Sequence, residues 1–170
     1  MAHLDENTVT VDVFTFKEGL LSPVAHDLRL RVGKLSMDLG PDSVVATFDA
    51  RSLKVASTQR DGRDASGLLP AFAYGEIERN IARDVLGAER FPDIVFASTQ
   101  VTSDAVIGTL TLHGQTQTLR CTRRLDHGFH VVEVRLDQRD FGIKPYSAML
   151  GTLKVQPEVR ITLRAPANPS

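Results

Sequence analysis

Through most of this chain, apolar residues recur at every second position, the period at which successive side chains of a pleated strand share one face. Ala105 to Leu112 sets Val106, Leu110 and Leu112 against Ile107, Thr109 and Thr111, and His113-Gly114-Gln115 turns the chain into Thr116 to Arg124. Before it, Ile94 to Thr102 is rich in β-branched and aromatic residues and is entered through Phe91-Pro92, where the residue preceding proline is driven to extended geometry. Phe129 to Leu136 places His130, Val132, Val134 and Leu136 opposite Phe129, Val131, Glu133 and Arg135. Glu158 to Arg164 ends the series with Val159, Ile161 and Leu163 on one side. Near the N-terminus, Thr8 to Phe16 alternates Val9, Val11 and Val13 with Thr10, Asp12 and Phe14. His26 to Val32 then sets Leu28, Leu30 and Val32 against Asp27, Arg29 and Arg31, with the arginines expected to face water. Ser36 to Leu39, Ser43 to Ala50 and Leu53 to Val55 are shorter strands, and Ser57 to Gly67 reads as an exposed loop.

One segment changes period. Ile77, Ile81 and Val85 follow at i+4 steps, while Glu76, Glu78, Arg79, Arg83 and Asp84 occupy the other face, so Tyr74 to Leu86 is predicted as a helix with Gly87 as its stop. Many evenly spaced strands, one helix and no βαβ alternation predict a mainly β fold: an eight-stranded antiparallel, lipocalin-like barrel covered by one α-helix. No linker or repeat divides the 170 residues, so a single domain over 1–170 is expected, with 165–170 as a frayed tail.

Three ordered motifs carry a family likeness. Phe91-Pro92-x-Ile94-x-Phe96-x-Ser98-Thr99 comes first, then Gly108-Thr109-Leu110-Thr111-Leu112-x-Gly114-x-Thr116, then Asp140-Phe141-Gly142-Ile143. Together with Ala25-His26-Asp27-Leu28, they make the chain resemble the YceI-like family of lipocalin-like, polyisoprenoid-binding proteins. Arg83-Asp84-x-Leu86 is similar to the family's Arg-Asp-x-His-Leu, without its histidine. The resemblance implies a lipid-binding barrel with an amphiphilic, isoprenoid-like ligand.

Composition narrows the alternatives. Twenty basic and twenty-one acidic residues leave a formal net charge of −1, which disfavours a nucleic-acid partner. No apolar run approaches the roughly 18 residues a spanning helix requires. The opening residues lack the basic and apolar regions of an export signal and Cys121 is the single cysteine, so the cytoplasm is the expected compartment.

Candidate chemistry is sparse. Ser22, His26 and Asp27 lie close in sequence, but neighbours on a strand face opposite ways and no Gly-x-Ser-x-Gly elbow is present. His113, His127 and His130 lack the spacing of metal ligands, so neither a metal nor a catalytic residue is assigned. Gly108 and Gly142 are read as points of strand curvature or close backbone approach.

A barrel with long strands encloses a tall, narrow space, since nine tilted residues rise roughly 20–25 Å. The expected function is non-enzymatic binding or carriage of a polyisoprenoid, quinone-like or fatty acyl ligand and no other cofactor. Leu28, Leu30, Phe96, Leu110, Leu112, Val132 and Val134 are the expected contacts, with His26 or His130 near a polar end. Phe14, Phe48, Phe96 and Phe141 are large enough to plug the interior instead. Two other functions remain open: an enzyme using His26, His130 or Asp140 as acid or base, and a packed interaction module. A homodimer through an outer strip of Val95, Val101, Ile107 and Val131 is compatible with either binding reading.

Overall fold

A computed structural model describes residues 2–18, 26–148 and 153–169. Ser22, together with the Leu20, Leu21 and Pro23 connection, lies outside the described residues. The elements run β1 (Ala2–Asp5), β2 (Thr10–Thr15), β3 (Asp27–Val32), β4 (Leu35–Leu39), β5 (Val44–Asp49), β6 (Leu53–Arg60), β7 (Arg63–Ala65) and α1 (Ala71–Asn80). There follow β8 (Asp93–Val101), β9 (Ala105–Leu112), β10 (Gln115–Asp126), β11 (Phe129–Asp137), β12 (Ser147–Ala148), β13 (Leu153–Lys154) and β14 (Glu158–Pro166).

Twelve strands, where eight were expected, form one antiparallel sheet in the order β1-β4-β5-β8-β9-β10-β11-β14-β2-β3-β6-β7. Strands β12 and β13 pair separately. Two of the extra strands, β1 and β7, are short ones at the ends of this order. Ala2–Asp5 is added to β4, with Ala2 opposite Leu39, although its four residues are too few to show a period. The segment read as an exposed loop instead extends β6 to Arg60 and returns as β7 through Asp61-Gly62. Asp61 and Gly62 have φ values of 54° and 77°, and His113-Gly114 and His127-Gly128 turn in the same positive-φ way, the two-residue geometry that matches strand twist.

The sheet curls because its two ends share a core. Leu4, Met37 and Ala46 from one end pack in one buried cluster with Val11, Val32 and Ala165 from the other. Backbone bonds pin the junction: Gly33 N–H donates to the Ser52 carbonyl at 2.9 Å, and Asp49 N–H to the Lys34 carbonyl at 3.0 Å. Each buried aliphatic side chain here contributes on the order of 2 kcal/mol relative to exposure. A second cluster, including Leu86, Leu112, Leu136, Phe141, Ile143 and Val159, fills the opposite end of the interior.

The family-like motifs meet in that second region. The Phe91 ring lies 4.8 Å from the His113 ring, His113 Nδ1 is 3.3 Å from the Phe141 carbonyl, and a Cβ on Gly114 would fall 2.8 Å from Phe91. These residues hold the hairpin tip, the β8 entry and the turn after β11 together. Gly142 ends a short 3-10 turn with φ of 70°, so its role is to cap that turn and not to curve a strand. Gly108 does permit a close approach: a Cβ there would meet the Phe96 ring at 2.6 Å and the Ala97 carbonyl.

Helix α1 starts at Ala71, earlier than its period suggested, because Pro70 stands at the N-cap in extended geometry. Ile81–Val85 continues it with π-helical geometry, Leu86 N–H reaching the Ile81 carbonyl at 2.8 Å, and past Gly87 the Ala88 N–H closes the end on the Ala82 carbonyl at 2.7 Å. Gly87, with φ of 54°, stops it as expected. Glu78, read as lying on the face opposite the apolar stripe, accepts from the Val55 backbone N–H at 2.8 Å and clips the helix to β6.

Other expectations are corrected. Arg29 and Arg31 point outward but are not simply hydrated: both reach Asp12, and Arg29 also grips Asp64 at 3.1 and 2.9 Å. At the start of the 165–170 segment, Ala165 is buried in β14, which runs to Pro166, and Ala167 N–H donates to the Gly128 carbonyl at 2.9 Å.

Candidate binding cavity

The curled sheet and α1 enclose a cavity of about 970 Å³. It exists because inward residues at mid-height are aliphatic and half-buried, meeting space where a packed core would place atoms. Val13, Leu28, Val132, Val134 and Ile161 are all of this kind. All nine residues named from the sequence line it: Leu28, Leu30, Phe96, Leu110, Leu112, Val132, Val134, His26 and His130. Of the four phenylalanines able to plug the interior, Phe48 and Phe96 line the cavity without filling it. Phe14 lies under the Arg160 guanidinium at 4.4 Å, and Phe141 is packed in the second core cluster.

Strand register separates the two histidines. His130 pairs with Ala165, and β14 then runs alongside β2 towards Thr15, which pairs with Leu28 two residues beyond His26. At about 3.3 Å per residue, the eight residues of this path put His26 and His130 roughly 26 Å apart along the strands, towards opposite ends of the cavity. Burial, then the Lys17 and Arg60 charges, hold His26 below the ordinary imidazole range against the opposing pull of Asp27. His130 is lowered by burial and then by Arg123. Asp140 lies on the exposed 3-10 turn after β11, where its backbone carbonyl accepts from Gln117. The acid and base candidates therefore do not converge. Among the described residues, no three His, Cys, Asp or Glu side chains gather as a metal site.

Sequence reasoning missed three contributions. Arg123 lines the cavity on the same face as Leu119 and Cys121, and the two-residue period of β10 carried that signal. The helix supplies Ile77, Ile81 and Val85 as one wall, so the apolar stripe read as a cover is also a lining. Leu69 and Ala73 add to the rim beside Phe72, which is 80% exposed. The proposed outer strip is broken, since a bulge between Ser98 and Gln100 turns Val101 inward and Val131 is buried between its neighbours Arg124 and Arg164. Cys121 is enclosed, and burial pushes its thiol up to about 11.

A curled antiparallel sheet around an apolar cavity, with a helix as part of the wall, defines a mainly β protein of half-barrel architecture. The chain belongs to the YceI-like domain family, whose model matches residues 3–167. BcnA from Burkholderia cenocepacia is similar in structure, with a TM-score of 0.64 at 15% identity over 94% of this chain and 96% of that one. A polyisoprenoid binding domain from Saccharophagus degradans, described as implicated in plant cell wall breakdown, gives a TM-score of 0.60 at 10% identity over 98% and 99%. A Campylobacter jejuni YceI protein gives 0.55 at 12% identity over 84% and 85%. At such identities the likeness establishes the fold. No curated protein matches the chain. No helix among the described residues is long and apolar enough to cross a membrane.

Proposed function

We propose that the chain binds and carries a long, linear amphiphile in this cavity, without transforming it. The cavity itself is the observation that carries the reading: about 970 Å³ of space, walled by aliphatic side chains and running between two ends that each hold a histidine. At about 30 Å³ per non-hydrogen atom, the liquid-water value, it has room for roughly thirty such atoms. That volume fits a fatty acyl chain, a short polyisoprenoid or a quinone-like molecule with a modest tail. Apolar transfer at about 0.8 kcal/mol per CH₂ supplies the affinity, and narrowness favours linear over compact molecules. The polyisoprenoid-binding description of the Saccharophagus degradans domain agrees with this ligand class.

Separation of His26, His130 and Asp140 favours carriage over catalysis, because acid–base work needs groups within hydrogen-bond reach of one reacting atom. Native mass spectrometry of freshly expressed protein, followed by organic extraction and lipid identification, tests the reading. A bound hydrocarbon species in stoichiometric amount is expected. A protein that is empty as expressed, and that takes up no added C12 to C20 chain, would refute it.

A further inference from the structure

Arg123 is a cation set in the wall of an apolar cavity, and the described residues give it no counter-charge. It sits across the β10–β11 ladder from Val132, on the same face of its strand as buried Cys121. One guanidinium nitrogen, Nη1, donates to the Thr102 carbonyl at 2.7 Å, which anchors the side chain. The other, Nη2, lies 3.5 Å from both ring nitrogens of His130. A point equidistant from the two nitrogens is on the lone-pair axis of neither. The contact therefore packs guanidinium against imidazole and leaves Nη2 and the imidazole nitrogens open to a further partner.

Among the described residues, the acidic ones around Arg123 form no ion pair with it. Asp126 is held by His127 at 2.6 Å and Arg164 at 3.2 Å, and Asp104 accepts from the Thr102 hydroxyl at 2.9 Å. Burial of a cation beside apolar walls is costly until an anion joins it, and the planar fork of arginine matches carboxylate and phosphate oxygens two at a time. At the far end the charges are mixed, with Glu76 and Lys154 both on the lining. An anionic head group meets a carboxylate there and none at the Arg123 end.

We propose that the Arg123 and His130 end of the cavity is a head-group site for an oxyanion, a carboxylate or phosphate, borne by an amphiphile whose tail runs towards α1. The proposal rests on the carriage reading and fixes both the charge of the ligand and its direction. His130, held below the ordinary imidazole range by burial and by Arg123, offers one further N–H to the same oxyanion.

The test uses delipidated full-length chain loaded with diphenylhexatriene, a neutral fluorescent hydrocarbon, and displaced in turn by dodecanoate, dodecyl phosphate and dodecan-1-ol. Both anions are expected to bind at least roughly tenfold more tightly than the alcohol, the margin of a charge-assisted hydrogen-bond pair. In Arg123→Met that ratio should fall to within about threefold, and in Arg123→Lys it should be intermediate. Because the quantity is a ratio within one protein, wild type supports or sinks the idea even if a variant fails to fold. Equal affinity of wild type for acid and alcohol would overturn the proposal while leaving the carriage reading intact. So would retention of the ratio in Arg123→Met, or its loss in Lys154→Gln, which would put the head group at the other end. Displacement of dye by millimolar inorganic phosphate would mean a free-anion site and also overturn it. If none of the three chains displaces the dye, the carriage reading falls and the head-group site with it.

Discussion

Val134 is inward-facing and half-buried at the middle of β11, beside Ile161 of β14, and both line the cavity. Its replacement by tryptophan separates a real cavity from a loosely packed core. The larger side chain adds roughly seven non-hydrogen atoms to a space that holds roughly thirty at liquid-like density. A bound chain then loses about seven methylene sites at ~0.8 kcal/mol each, or about 6 kcal/mol if it cannot re-thread. Even half of that weakens binding by more than about fiftyfold. The apo protein should hardly notice, because the indole enters vacant space and buries further apolar area. In a filled interior the outcome reverses: over-packing costs about 1–3 kcal/mol, and in a domain of this size each kcal/mol lowers Tm by ~2–4 °C. Differential scanning calorimetry of delipidated Val134→Trp, with dye-displacement titration of the same sample, reads both quantities. Affinity should collapse while Tm stays within about 2 °C of wild type. A fall of more than about 5 °C with undiminished binding would refute the reasoning and show Val134 packed against protein atoms.

Three further outcomes can be checked. Gly108→Ala pushes a Cβ into the Phe96 ring and the Ala97 carbonyl; the backbone contact cannot relax cheaply, so calorimetry should show Tm lowered by roughly 4–10 °C. The Arg29 hydrogen bonds, then those of Ser57 and Gln59, hold the Asp64 carboxyl at about 2, below its unfolded value; the stability this supplies is complete above about pH 4 and is lost as pH falls towards 2. Asp64 is half-exposed, so screening leaves about 1 kcal/mol of it, and acid titration of Asp64→Asn should flatten the stability curve over that window and lower Tm by about 2–4 °C at neutral pH. The Cys121 thiol, pushed up to about 11 by burial, carries on the order of 100-fold less thiolate at pH 8 than an ordinary thiol, so a disulfide reagent should modify the folded protein at least that much more slowly than the unfolded chain.

Period alone made much of this protein legible. Strand and helix differ in how often the chain returns to one face, so β2, β3, β8 to β11 and β14 and the stripe of Ile77, Ile81 and Val85 can be read from neighbouring residues without knowledge of what they pack against. The same alternation collects Leu28, Leu30, Phe96, Leu110, Leu112, Val132 and Val134 on inward faces, because a strand with one apolar side turns that side away from water. Elements too short to complete a period, such as Ala2–Asp5 and Arg63–Ala65, became strands only because a neighbour offered unpaired backbone groups. Likewise, the inward turn of Val101 depends on a bulge between Ser98 and Gln100, which shifts pairing by one residue and reverses a face without a mark in the hydrophobic pattern. Whether inward side chains meet one another or leave a cavity is a matter of curvature and strand number, properties of the whole sheet that no single strand encodes. The standing of Arg123 was decided in the same way. One cation on an aliphatic face looks like a break in the pattern, and only the curling of β10 and β11 around empty space, with neither Asp126 nor Asp104 ion-paired to it, makes it an unanswered charge at the end of a cavity.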